Sequence, residues 1–285
     1  MKVSVSVLLL LSLFNLSKAA DLVIFSYNRP MQLYALLESV EQYVTGITSS
    51  KVIVRADSSR YRQAYKIVQD KFAWVNFIYQ NNPPYDFREL VMKNVFNSDY
   101  SYILFAVDDI IVKDYVDLAE CVNLLKKYQA YTLLLRLGSN INYCYSLNID
   151  TSMPEALEIE KGIYQYTFLN GEGDWAYPNN VDMSLYCKKD IYTNLSRFDW
   201  SNPNQMEGAW ANTANLDQRG LFFDLSKIVN IPLNIVGSYK NNRNMNIYSD
   251  LELLERFEQG LKIDIGCFDK IMNRSAHIEH TVCFK

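Results

Sequence analysis

Short apolar runs alternate with amphipathic stretches over the first 130 residues of this chain. Leu22 to Ser26 is an apolar run of strand length. Pro30 then opens a stretch in which Leu33, Leu36, Leu37 and Val40 recur at helical spacing. Lys51 to Ala56 predicts a second strand, and Arg60 to Asp70 a helix with Tyr61, Tyr65 and Val68 on one face. Val75 to Tyr79 predicts a third strand, closed by Asn81-Asn82-Pro83-Pro84, with a helix over Asp86 to Phe96 after it. Tyr102 to Val107 is the fourth strand. Asp114 is expected to cap the next helix, with Tyr115, Leu118, Val122 and Leu125 in its apolar stripe.

This order, β-α-β-α-β-α-β-α, predicts an α/β fold with a mostly parallel, Rossmann-type sheet flanked by helices. Right-handed crossovers bring all four strand carboxyl ends to one edge. That edge receives Ser26 to Arg29, Asp57 to Ser59, Gln80 to Asn82 and Val107 to Asp109. The second half is less regular. Strands are expected over Thr132–Leu137, Gly162–Phe168, Leu221–Leu225 and Ile228–Leu233, and helices over Lys188–Leu195, Pro203–Ala214 and Leu251–Leu261. Residues 131–285 are expected to pack on the sheet edge and finish a site begun by residues 21–130, within one domain.

Residues 1–20 stand apart. Met1-Lys2 precedes a mostly apolar Val3 to Leu16, and Ser17-Lys18-Ala19 offers small residues for cleavage. That is signal-peptide anatomy, too short for a membrane span, and no later stretch reaches spanning length. Use of the leader implies export or a secretory lumen; otherwise the chain is cytoplasmic.

Composition narrows the classes. The chain has 285 residues, 49% hydrophobic and 21% charged, as in globular proteins. A net charge of −4 with no block of Lys or Arg argues against a nucleic-acid partner. Five cysteines show neither zinc-knuckle nor CxxC spacing. No GxGxxG follows the first strand and no GxxxxGK[ST] occurs anywhere, which disfavours dinucleotide and P-loop sites. The only histidines, His277 and His280, have no Ser or Cys partner motif for nucleophilic catalysis.

The sharpest chemical signal is Val107-Asp108-Asp109 at the end of the fourth strand. Adjacent carboxylates repel unless a positive charge lies between them. A divalent metal that also holds a phosphate is the economical candidate. With Ser26-Tyr27-Asn28-Arg29-Pro30 after the first strand and Asp57 after the second, the ordered set resembles nucleotide-diphosphate-sugar glycosyltransferases of the GT-A fold, closest to family 2 and related inverting enzymes.

That resemblance implies a glycosyltransferase using Mn²⁺ or Mg²⁺, a UDP- or GDP-linked sugar donor, and a glycan or other hydroxyl acceptor. It implies Asp109 as metal ligand and Asp108 as a hold on the ribose or donor sugar. Asp57 would accept a bond from the base, although it serves equally well as an N-cap. Ser26, Tyr27 and Arg29 line the donor side, Tyr27 and Arg29 by stacking and by steadying the diphosphate. Arg88 and Lys93 are donor contacts or solvated helix charges. Lys240 and Arg243 would clamp the diphosphate from a closing loop. His277 and His280 are candidates to complete the metal sphere.

An inverting transfer needs a base for the acceptor hydroxyl. Asn202-Pro-Asn-Gln-Met-Glu207-Gly-Ala-Trp210 resembles the family's acceptor-side motif, with Glu207 the leading base and Asp182 and Asp174 behind it. Trp175, Tyr177 and Trp210 would form an acceptor platform. The main alternative is an exported, catalytically silent module that binds glycans or a protein. A glycoside hydrolase pairing Asp109 with Glu207 ranks third.

Overall fold

In the computed structural model, which describes residues 19–237 and 243–285, one nine-stranded sheet organises the molecule. Most of the expected leader and Lys240 lie outside the described residues. Strands β1 (Ala20–Tyr27), β2 (Ile47–Arg55), β3 (Val75–Tyr79) and β4 (Tyr102–Val107) alternate with helices α1 (Pro30–Tyr43), α2 (Ser59–Lys71) and α3 (Phe87–Phe96). The second half adds α4 (Leu118–Tyr128), β5 (Thr132–Leu134), β6 (Leu157–Glu160), β7 (Ile163–Thr167) and β8 (Ser184–Cys187). Then come α5 (Lys188–Arg197), α6 (Pro203–Ala211), β9 (Arg219–Phe223) and α7 (Asp250–Glu258).

The sheet order is β6-β7-β9-β5-β8-β4-β1-β2-β3. The block β4-β1-β2-β3 is wholly parallel. Beyond it β8 runs antiparallel to both β4 and β5, β9 is parallel to β5, and β7 is antiparallel to β9 and β6. A parallel first half and a mixed second half in a single sheet match the α/β expectation. Both faces of β1 and β4 are covered, so these two strands read as nearly continuous apolar runs. In β1, Leu22 and Ile24 pack with α1 and α2 on one face; Val23 and Phe25 pack with α3 and the second-half aromatics on the other. Among the described residues no helix is long and apolar enough to cross a membrane.

One boundary moved for an identifiable reason. Asp117, not Asp114, caps α4, accepting from the Ala119 amide at 2.8 Å. Val116–Asp117 pairs in parallel with Val44–Thr45, which holds the chain extended past Asp114 and leaves Tyr115 55% exposed.

The turn after β5 brings the chain against the segment after β9. A Cβ on Gly138 would lie 2.2 Å from the Ser226 amide nitrogen, a backbone atom that cannot rotate away. Gly138→Ala is expected to destabilise the protein by about 1–3 kcal/mol, read as a lower denaturation midpoint at unchanged denaturant slope.

Candidate functional site

The carboxyl edge of the parallel block gathers the polar residues that close its strands. Asn28 adopts the left-handed conformation (φ 52°) that asparagine tolerates, and so turns the chain sharply after β1. Its side chain then clasps Asp57: Oδ1 accepts from the Asp57 amide at 3.1 Å and Nδ2 donates back at 3.3 Å. Tyr27 donates its hydroxyl to Asp57 at 2.5 Å, and Arg55 donates to the other oxygen at 3.0 Å while covering the Tyr27 ring. The cap of α2 is Ser58, so Asp57 is held at the rim instead of spent on a helix end.

Asp108 is 3% exposed, and its oxygens are taken. Ser26 Oγ donates at 2.8 Å, the Tyr27 amide at 3.1 Å and Arg29 Nη1 at 3.1 Å. Burial pushes its carboxyl up to about 6, against the pull of Arg29. In this structure Asp108 and Ser26 act as internal supports of the edge. Asp109 differs: Oδ2 accepts from Arg29 Nη1 at 3.1 Å, while Oδ1 is buried with no partner.

The second half delivers further carboxylates to this edge. Because β8 pairs with β4, the loop before β8 lies beside the doublet, and the Met183 amide bonds the Phe105 carbonyl at 2.8 Å. Asp182 leads into that anchor and sits within electrostatic reach of Asp109. Glu207, on α6, accepts from the Val181 amide at 2.9 Å, one residue from Asp182. Burial, with Asp182 adding repulsion, pushes the Glu207 carboxyl up to about 8. Burial raises Asp182 as well.

His277 arrives by backbone pairing. The Asp109 backbone carbonyl accepts from the Ile231 amide, and the neighbouring Asn230 is bracketed by Ala276 and Ile278. His277 Nε2 lies 3.7 Å from Asp182, its ring stacks on Tyr145, and its Nδ1 is buried without a partner.

Sequence reasoning missed Arg136. This residue is 1% exposed and donates to Asp174 Oδ1 at 2.5 Å and to the Asp174 and Tyr177 carbonyls at 3.1 Å each. It is the buried guanidinium facing Asp174, Asp182 and Glu207. A single charge inside Leu133-Leu-Leu-Arg136-Leu137 was the available signal, since unpaired charges are almost never buried.

Other expectations are corrected. Trp175 and Trp210 are fully buried and pack with Phe222, Phe105 and Tyr186, so neither offers a face to an acceptor. Of that platform only Tyr177 stays half-buried beside Glu207. Arg88 is spent on the Phe198 and Ser196 carbonyls, and Lys93 is exposed in the last turn of α3, away from the edge where that helix begins. Arg243 donates to Tyr143, Asn148 and the Tyr145 carbonyl and lies over the Tyr145 ring, fastening a loop instead of a diphosphate. His280 lies against Phe268 and the Thr281 carbonyl, and its Nδ1 is engaged by that carbonyl.

The donor set for a divalent cation is therefore partial. Asp109 Oδ1 and His277 Nδ1 are each buried without a partner, and Asp109 and His277 both lie within electrostatic reach of Asp182. Among the described residues no three metal-type side chains already converge. Such a set suits Mg²⁺ or Mn²⁺ that takes its remaining oxygens from substrate phosphate.

No family model matches the chain. It is 26% identical over 187 residues to the bifunctional glycosyltransferase pgtA of Dictyostelium discoideum, a match covering 60% of this chain. The chain spans about a quarter (24%) of the length of that curated relative. Among solved structures, S. aureus TarS 1–349 in complex with UDP aligns at TM-score 0.49 and 14% identity, covering 72% of this chain and 58% of that one. GalNAc-T7 with UDP, GalNAc and Mn²⁺ aligns at TM-score 0.46 and 10% identity, covering 76% of this chain and 44% of that one. The curated relative is a glycosyltransferase, and it is to glycosyltransferases that this chain is similar, both in that stretch of sequence and in the motifs that close its strands.

Proposed function

We propose that the chain transfers a sugar from a nucleotide-diphosphate donor to a hydroxyl acceptor with inversion at the anomeric carbon. The observation that carries this reading is the meeting, at one sheet edge, of a strand-end acid with a free buried oxygen (Asp109) and a carboxylate held by the Val181 amide next to Asp182 (Glu207). Asp57, steadied by Asn28 and Tyr27, would take a base or ribose hydrogen bond. Glu207 would accept the proton of the acceptor hydroxyl as its oxygen attacks the anomeric carbon. The bond from that carbon to the diphosphate breaks, and its electron pair leaves with the diphosphate. Asp109, with His277 reaching the same edge next to Asp182, would hold a divalent cation, which would supply charge compensation for the leaving group. Export through the leader, into a compartment that provides the donor, belongs to the same reading.

A silent binding module is the second reading. It is favoured by the saturation of Asp108 and by the burial of both expected platform tryptophans.

Thermal denaturation with UDP or GDP, each with Mn²⁺ or with EDTA, separates the two. The transferase is expected to gain about 2.7 kcal/mol at nucleotide a hundredfold above its dissociation constant, and to release nucleoside diphosphate from a matching sugar donor. No gain with either nucleotide and no release from any donor would favour the silent module.

A further inference from the structure

Arg29 holds the position that sequence reasoning assigned to a metal. Its Nη1 lies 3.1 Å from Asp108 Oδ1 and 3.1 Å from Asp109 Oδ2, and Nη2 donates to the Asn234 carbonyl. Its side chain is 11% exposed, and its own amide donates to the Tyr65 hydroxyl, so backbone and side chain are both held. Two carboxylates against one guanidinium leave about one negative charge over, which agrees with the unpartnered Asp109 Oδ1. A guanidinium does not lose its proton in a protein. A free divalent cation reaching Asp109 thus meets a fixed positive charge on the same carboxylate.

The geometry assigns Arg29 as the resident counter-ion of the doublet, which competes with a free divalent cation for Asp109 and yields it when a diphosphate arrives to take the guanidinium. This rests on the reading of Asp109 as the donor-side acid. The exchange is chemically even-handed, because the guanidinium fork matches phosphate oxygens as well as carboxylates. Metal and nucleotide then bind with positive coupling, and the coupling is the same seen from either ligand. Until the diphosphate arrives, Arg29 offsets about one of the two negative charges without recruiting metal.

Mn²⁺ without nucleotide tests the idea, by thermal denaturation and by titration of free Mn²⁺ with electron paramagnetic resonance. Wild type is expected to show no shift with Mn²⁺ alone, and UDP or GDP is expected to tighten Mn²⁺ binding by about 5–150-fold. Arg29→Met removes the counter-ion, so Mn²⁺ alone should now raise its midpoint; Arg29→Lys keeps a charge beside the acids and should, like wild type, show no shift with Mn²⁺ alone. Mn²⁺ binding as tightly to wild type as to Arg29→Met, or stabilising neither, overturns the assignment. If Arg29→Met does not fold, the wild-type Mn²⁺ affinity with and without nucleotide decides, and equal values overturn it. Should neither UDP nor GDP bind under any condition, the transferase reading falls, while the Mn²⁺-only comparison still judges the counter-ion role by itself.

Discussion

Glu207→Gln is expected to lower sugar transfer by about a hundred- to ten-thousand-fold while leaving nucleotide binding near wild type. The substitution is close to isosteric, and the glutamine carbonyl can still accept from the Val181 amide that Glu207 now bonds at 2.9 Å. What it removes is the proton acceptor. The pH dependence follows from the same carboxyl. Burial with Asp182 nearby holds Glu207 up to about 8, and a base works only when ionised, so transfer should fall as pH drops below about 8. Stability carries the opposite sign. A carboxyl whose pKa is higher folded than unfolded keeps its proton longer in the native state, so its contribution is full at low pH. That contribution is lost as pH rises from the ordinary carboxylate range through about 8. Glu207→Gln should flatten this loss and be no less stable than wild type above pH 8. Transfer rates against pH for both proteins, with denaturation midpoints across the same range, check both signs. A variant as active as wild type would remove Glu207 from the chemistry.

Arg136→Met is expected to cost about 3–5 kcal/mol of stability, the largest single effect on folding predicted for this protein. Arg136 and Asp174 are 2% and 8% exposed at the side chain and meet at 2.5 Å. Methionine fills similar volume but leaves the Asp174 carboxylate buried without its partner, and frees the Asp174 and Tyr177 carbonyls that the guanidinium also holds. The damage is expected to stay local at first, because these bonds tie down the turn over residues 173–176 beside Glu207. Urea denaturation of wild type and variant measures the loss. A change under about 1 kcal/mol, the range of exposed pairs, would mean that solvent reaches the pair in solution.

Local pattern was enough for the first half of the fold. Val75–Tyr79 and Tyr102–Val107 stand where their apolar runs end, and α1, α2 and α3 start within a residue of their sequence signals. These elements are buried on both faces or along one stripe, so periodicity alone announces them. The strand-end doublet and Asp57 were legible for the same reason, since chain order delivers them to one edge. The second half was harder because its strands are short and take their partners from distant segments. β5 spans only Thr132–Leu134, wedged between β8 and β9, although its apolar run continues to Leu137.

The sequence by itself determined the parallel β/α alternation, the edge at which polar side chains collect, and the residue types offered there, because spacing and handedness are local properties of the chain. Tertiary structure alone decided which of those side chains remain free. Arg29 closes on both acids, Asp108 is consumed by Ser26 and the Tyr27 amide, Trp175 and Trp210 are buried in the core, and Arg136 pairs with Asp174. Each of these outcomes depends on burial and on partners tens of residues away, and a charge or an aromatic ring carries no mark in the sequence of what will neutralise or cover it.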